Sequence, residues 1–181
     1  MEAHGGYLSR LEQFESSKLI KLARQALAED GQQIDSCSLA IARVPRRSVI
    51  RIAFDAPHTY GRRGARWYEE HHALARLLSR EFQITIHAYV LDPEEFEQVV
   101  TYASGGKVGG ERVEYDRVDA PGTDEELAEL NARWPLGYLA RILGVTRDEL
   151  VKLPRSPSAL LELEGAGPRG TVADLLPPSK W

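Results

Sequence analysis

Residues 67–116 of this chain read WYEEHHALARLLSREFQITIHAYVLDPEEFEQVVTYASGGKVGGERVEYD. Apolar side chains recur every three or four positions over residues 67–82, which predicts a helix. Residues 84–91 are mostly β-branched or apolar and carry no charge, which predicts a buried strand. Residues 96–103 and 107–115 are predicted to follow as a hairpin closed by glycines. This stretch therefore predicts a fold of the α+β class.

The pairing of the two hairpin strands decides which side chains share a face. With a loop of two or four residues, Phe96 lies opposite Tyr115, and the other face collects Glu95, Glu97, Glu114 and Asp116. A loop of odd length shifts the register by one residue, and this acidic face then disappears. Because like charges opposite each other destabilise a sheet, such a face is either well solvated or neutralised by a cationic partner.

The partner hypothesis assigns this face to a basic protein. A dense group of acids beside an aromatic side chain is suited to recognise a cationic protein surface, and it repels nucleic acid. The predicted partner-binding residues are Glu95, Glu97, Tyr102, Arg112, Glu114 and Asp116.

Length and composition restrict the class of protein. The chain has 181 residues, of which 43% are hydrophobic and 28% charged, as is usual for a globular domain. The single cysteine, Cys37, excludes an internal disulfide framework and a cysteine-rich zinc site. Neither a signal peptide at residues 1–10 nor an apolar segment of about 20 residues is present. We expect a cytoplasmic protein without membrane insertion, and the sequence leaves its oligomeric state open.

The rest of the chain adds further elements. A helix is predicted over residues 7–30, and two strands over residues 39–44 and 49–54 that pair with Leu39 opposite Phe54. Proline and glycines predict a loop over residues 55–65. Three short helices are predicted nearer the C-terminus, over residues 124–134, 136–143 and 146–153.

These elements predict one core with a smaller attachment. We expect a mixed or antiparallel sheet of about five strands, packed against two longer helices. This core domain spans residues 1–118. Residues 119–181 are predicted to form a small helical appendage with an irregular tail packed on the core.

Charge is strongly segregated along the chain. Residues 43–66 contain seven arginines and one acid, whereas residues 92–129 contain twelve acids and three bases. The two blocks can attract different partners, or they can pair with each other in the fold. The candidate anion-binding residues are Arg62, Arg63 and Arg66. Nucleic-acid binding is disfavoured because the isoelectric point is near 5.8.

The sequence predicts no catalytic residue, metal site or cofactor. Neighbouring His71 and His72 diverge by about 100° on a helix, so they do not chelate one ion together. Motifs of nucleophilic and phosphate-binding enzymes are absent. Residues 138–150 resemble the centre of a helix-turn-helix, but the second helix carries Asp148 and Glu149, which disfavour DNA contact. The sequence favours a non-enzymatic protein, although converging carboxylates and histidines would also suit an enzyme.

Two runs, YVLDPEEFEQVV (residues 89–100) and GGKVGGERVEY (residues 105–115), resemble small cytoplasmic proteins of high-GC bacteria. Some of these look like immunity proteins against polymorphic or contact-dependent toxins, and the resemblance covers residues 65–116. It implies a protein-binding module that neutralises a cognate toxin by occluding it with an acidic surface. The alternative is a regulator that binds nucleic acid or a small ligand through residues 43–66 or the C-terminal helix pair.

Overall fold

One seven-stranded antiparallel sheet organises the computed structural model, which describes residues 1–10, 14–156 and 158–177. Its strands are β1 (His4–Arg10), β2 (Ser38–Arg43), β3 (Val49–Asp55), β4 (Ile86–Asp92), β5 (Phe96–Ala103), β6 (Gly106–Glu114) and β7 (Ser158–Glu162). They lie in the order β6-β5-β4-β1-β3-β2-β7, and all neighbours are antiparallel. The predicted α+β class is confirmed, whereas the predicted number of about five strands is wrong.

The described residues also contain seven α-helices. They are α1 (Ser16–Glu29), α2 (Gly61–Arg66), α3 (Ala73–Glu81), α4 (Asp124–Arg133), α5 (Pro135–Leu143), α6 (Arg147–Lys152) and α7 (Val172–Leu175). Short 3-10 turns lie at Pro57–Thr59, Trp67–Glu69, Tyr115–Arg117 and Leu153–Arg155. In the described part of the chain, no helix has the length and apolar character needed to cross a membrane.

Two apolar cores lie on opposite faces of the sheet. Tyr7 belongs to the core beneath α1 and α3, and Leu8 to the core beneath α5 and α6. Because successive side chains of a strand point to opposite faces, these neighbours on β1 assign one core to each face. The sheet is therefore the middle layer of three, and the C-terminal helices cover its second face.

The first residues of the helix predicted over residues 7–30 form strand β1 instead, so the helix begins later than predicted. Strand β1 lies at the centre of the sheet, between β4 and β3, and is buried on both faces. A strand buried on both faces loses the alternation of apolar and polar residues that identifies a strand in a sequence. The helix itself begins at Ser16 and is followed by Gly31, whose φ of +70° suits a helix end.

The pairing of β2 with β3 confirms the predicted hairpin, with Leu39 opposite Phe54. The other edge of β2 pairs with β7, where Leu39 lies opposite Leu161. Residues 119–181 therefore supply a strand of the main sheet. Their separation from residues 1–118 as an appendage stays a prediction.

The helix predicted over residues 67–82 is interrupted. Trp67–Glu69 forms a 3-10 turn, and α3 begins only at Ala73. Between them, the His71 amide still donates to the Trp67 carbonyl at 3.2 Å, and the His72 ring Nε2 donates to the Tyr68 carbonyl at 2.9 Å. The loop predicted over residues 55–65 is likewise corrected, because it contains a 3-10 turn and α2.

The three predicted C-terminal helices are confirmed as α4, α5 and α6. The predicted capping box is present at the start of α6. There, the Thr146 hydroxyl accepts from the Glu149 amide at 3.1 Å, and the Glu149 carboxylate accepts from the Thr146 amide at 2.7 Å. Gly144, with a φ of +72°, separates α5 from α6.

Candidate functional site

The hairpin register differs from the predicted one by one residue. Phe96 lies opposite Glu114, and Glu97 lies opposite Val113. The cause is a β-bulge between Thr101 and Tyr102, which leaves Val108 of β6 without an opposite residue. An extra residue on one strand moves every later side chain of that strand to the other face. The predicted acidic face is therefore not formed.

Glu97 is fully buried and links the sheet to the C-terminal helices. Its carboxylate accepts from the Leu136 amide at 2.9 Å and from the Tyr115 hydroxyl at 2.9 Å. The Arg147 guanidinium donates to the same carboxylate at 2.5 Å. Glu97 thus holds the N-terminal end of α5 and the first residue of α6 on β5. It is a structural residue, and the prediction that it contacts a partner is wrong.

The other predicted partner-binding residues are mostly engaged within the protein. Glu95 pairs with Arg66, and Tyr102 donates its hydroxyl hydrogen to His72 Nδ1 at 3.1 Å. Arg112 lies 3.8 Å above the Phe96 ring. Its ion pairs join Glu69 at 2.9 Å and Glu114 at 3.2 Å. Asp116 is exposed and makes no ion pair with any residue the structure describes.

The two charge blocks of the sequence pair with each other at the start of the hairpin. Arg62 Nε lies 2.9 Å from Asp92 Oδ2 at the buried end of β4, and its Nη2 lies 2.5 Å from Glu94. Arg66 joins the same acids through Asp92 and Glu95. Arg62 and Arg66 are therefore engaged by acids, although Arg63 and Arg66 also line a hollow of about 370 Å³ that contains Glu69 and Glu70. Among the candidate anion-binding residues, only Arg63 has no ion-pair partner in the described ranges.

The adjacent histidines have structural contacts. The His71 ring stacks on Trp67 with centroids 4.4 Å apart, and its Nδ1 donates to the Trp67 carbonyl at 2.7 Å. His72 spans the gap between Tyr68 and Tyr102. Within residues 1–10, 14–156 and 158–177, no three His, Cys, Asp or Glu side chains are grouped to hold a metal ion.

Helix α5 presents an exposed ridge formed by Tyr138, Arg141 and Ile142, called here the α5 ridge. Tyr138 is 53% exposed and Ile142 is 50% exposed, although both belong to the nine-residue helix that covers the second core. The Arg141 guanidinium lies 5.5 Å from the Tyr138 ring centroid. These three positions lie three and four residues apart, so they share one helix face. Large exposed side chains on one face mark a candidate contact surface.

A groove runs between the α5 ridge and the sheet. Its inner part, of about 200 Å³, has Val99 and Thr101 on its floor and Gly109 on its rim. A second part, of about 310 Å³, continues over Ser9 and Thr85 toward β1. His87 and Ile142 line both parts; a further hollow of about 560 Å³ lies on the other flank of α5, against α4 and α6. The ridge is thus flanked by concave surface on both sides.

His87 lies at the base of the groove, beside Thr101. It is 5% exposed, and its Nδ1 lies 2.8 Å from the Thr101 hydroxyl. Burial lowers the pKa of His87 from 6.5 to about 4, so the ring is neutral at pH 7. At the far side of the second core, burial and repulsion by Arg51 and Arg155 lower the pKa of His4 to about 3.

Because the pKa values of these two histidines are lowered, we expect the folded protein to lose stability in mild acid. Each histidine binds its proton more weakly in the folded than in the unfolded chain. The stability they contribute is therefore complete above pH 6.5 and falls as the pH decreases toward 4. At pH 4.5, each is expected to cost about 2.5 kcal/mol relative to pH 7. Urea unfolding at pH 7 and at pH 4.5 measures the loss of unfolding free energy. In the His87→Gln variant, the part of this loss that protonation of His87 causes should be absent. If the variant lost as much stability as the wild type, the assignment of the loss to His87 would be contradicted.

The sequence interpretation missed the α5 ridge, although a signal was present. Residues 136–143 were predicted as a helix, and only Arg141 in them carries a charge. A helix that is apolar nearly all round buries one side and presents the other to a neighbour or to solvent. His87 and Thr101 gave no comparable signal, because their convergence depends on strand register.

Comparisons with known proteins found no relative of this chain. No family model matches the chain, and no curated protein or solved structure matches it either.

Proposed function

We propose that the protein is a non-enzymatic, cytoplasmic protein-binding module of the immunity type, which neutralises a basic toxin domain by covering it. The contact surface in this proposal is the α5 ridge together with the grooves beside it. The observation that carries the proposal is the half-exposure of Tyr138 and Ile142 on one face of a helix that Glu97 fixes to the sheet.

The composition of the ridge supports protein binding. Tyrosine and arginine are enriched among the residues that dominate binding energy at interfaces, where they fill pockets and exclude water. Tyr138 and Arg141 stand between concave surfaces that can accept side chains of a partner. The ridge is also rigid, since Leu136, Leu139 and Leu143 anchor the same helix in the second core.

Charge around the ridge supports a basic partner. All ten residues of α4 are exposed or half-buried, and its first turn carries Asp124, Glu125 and Glu126. Helix α4 packs against α5, the helix that carries the ridge. Exposed acids of this kind accelerate encounter with a basic protein more than they strengthen the final complex. The acidic surface of the immunity-type proposal is thus α4 rather than the hairpin.

The alternative, an anion-binding regulator, has less support. Arg62 and Arg66 already neutralise Asp92, Glu94 and Glu95. Helix α6 has six residues, of which Leu150 and Val151 are buried, and its first residue, Arg147, binds Glu97. Two of the candidate arginines and the first residue of α6 are therefore already engaged by acids within the protein.

The proposal is tested with a charge placed on the ridge. The partner is sought as a basic protein that co-purifies from native cells, with the product of the adjoining gene as first candidate. Ile142→Asp should weaken its binding at least about 30-fold, because an uncompensated carboxylate would be buried in the interface. Leu160→Asp is the matched control, since Leu160 is 60% exposed on β7, at the edge of the sheet.

The readouts are the dissociation constant and protection of cells that co-express the toxin. The expected result is loss of both with Ile142→Asp and retention of both with Leu160→Asp. Equal affinity of the two folded variants would contradict a contact surface on α5.

A further inference from the structure

The inner groove has a defined size and a defined polar base. Its walls are Pro135, Leu139 and Ile142 of α5, and its floor is Val99 of β5. At about 200 Å³ it lies below the range of about 300–1,000 Å³ that is usual for cofactor and drug-sized ligands. It is suited to one side chain rather than to a complete small-molecule ligand.

The base of the groove presents the neutral His87 ring as a hydrogen-bonding group, and the exposed Glu111 also belongs to the lining. His87 Nδ1 is engaged by Thr101, and within the described residues the ring makes this hydrogen bond and no other. The Nδ1 contact is compatible with either tautomer, so Nε2 is available as an acceptor or as a donor. A hydroxyl group fits both cases because it donates and accepts, whereas an ammonium group only donates.

The rim of the groove is kept open by a glycine. Gly109 lies opposite Thr101, so a side chain at this position would point to the same face of the sheet. A Cβ atom placed there would meet no other atom within 4 Å. The groove is therefore accessible from the side of β6, next to the α5 ridge.

We propose that this groove is a socket for one hydroxyl-bearing aromatic side chain, of the tyrosine type, supplied by the protein partner. This inference rests on the proposed function, because the socket borders the α5 ridge and shares Tyr138 and Ile142 with it. The aromatic ring packs between Leu139 and Val99, and its hydroxyl bonds to His87 Nε2.

The socket is tested on the isolated protein with p-cresol, the side-chain analogue of tyrosine, and with toluene, which lacks the hydroxyl. In NMR titrations, p-cresol should bind with a Kd of about 1–10 mM and shift the His87 ring signals. Toluene should bind about fivefold more weakly, since it makes no hydrogen bond. His87→Phe should abolish this preference. Equal binding of both probes, or shifts that do not include His87, would overturn the socket.

A variant that fills the groove links the socket to the partner. Gly109→Leu places a side chain in open space without backbone strain and should abolish p-cresol binding. Gly106→Leu is the matched control on the same strand, because a Cβ at Gly106 meets only the Ala103 carbonyl at 3.8 Å. Partner affinity should fall at least tenfold with Gly109→Leu and stay unchanged with Gly106→Leu.

These results separate this inference from the proposed function. If p-cresol fails to bind while Ile142→Asp still weakens the partner, the socket is wrong and the ridge stands. The socket is also wrong if Gly109→Leu excludes p-cresol without changing partner affinity. If Ile142→Asp leaves partner binding intact, the proposed function is wrong, whatever the probe binds.

Discussion

Glu97→Ala is expected to lower the free energy of unfolding by about 3–5 kcal/mol, because it leaves a largely buried arginine without its counter-charge. The substitution also removes the acceptor for the Leu136 amide and for the Tyr115 hydroxyl. Since these groups belong to three separate elements, we expect α5 and α6 to loosen from the sheet before the rest unfolds. For a domain of this size, the loss corresponds to a decrease of roughly 6–20 °C in Tm.

The measurement is chemical unfolding of the wild type and the variant. Asp116→Ala is the control, because Asp116 is exposed and its removal should change stability by less than about 0.5 kcal/mol. A double-mutant cycle with Arg147→Ala isolates the ion pair, and a coupling of more than 1 kcal/mol is expected. A loss below about 1 kcal/mol for Glu97→Ala would contradict the role of Glu97 as a buried link.

Gly137→Ala is expected to destabilise the contact between α4 and α5 by about 3 kcal/mol or more. A Cβ at this position would lie 1.8 Å from the Asn131 carbonyl oxygen, which belongs to the backbone of α4. Backbone cannot rotate away as a side chain does, so α4 has to shift or unfold. Amide hydrogen exchange should show loss of protection in α4, and urea unfolding gives the free energy.

Gly109→Ala is the matched control for this substitution. A Cβ there meets open space, so the change in unfolding free energy should stay within about 0.5 kcal/mol. Unchanged exchange in α4 of the Gly137→Ala protein would show that the two helices are not held at the distance the structure gives.

Several elements predicted from local pattern were recovered. The pairing of Leu39 with Phe54 followed from alternation and a short turn, and α6 followed from the Thr146 and Glu149 capping pair. These signals lie within a few residues of one another, where spacing alone constrains geometry. The α+β class could therefore be predicted from the sequence.

The predictions that were wrong concern features that depend on the whole sheet. Strand β1 has no alternation because neighbours such as Tyr7 and Leu8 are both buried, one in each core. The bulge at Val108 moved Glu114 to the face opposite Glu97, without a local signal that distinguishes the bulge from regular pairing. Because one bulge moves every later side chain, the predicted acidic face depended on a single residue of register.

The candidate site was predictable only in part. An acidic neighbourhood and an aromatic anchor were expected, and the proposal places them on α4 and at Tyr138 instead of on the hairpin. Of the predicted hairpin acids, Glu95 pairs with Arg66, which lies 29 residues earlier in the chain, and Glu97 pairs with Arg147, which lies 50 residues later. The segregation of charge along the sequence showed that the two blocks can form ion pairs, but it did not show which residues form them.

The most direct test of the account compares two sets of substitutions on the same partner. Tyr138→Ala combined with Ile142→Asp removes the α5 ridge, and Glu114→Lys combined with Asp116→Lys reverses charge at the end of the hairpin. Isothermal titration of the partner should show at least about 100-fold weaker binding for the ridge variant. The charge-reversed variant should lose less than about tenfold, mainly in association rate and mainly at low salt. The opposite ranking, with the ridge variant binding as wild type does, would contradict a contact surface on α5.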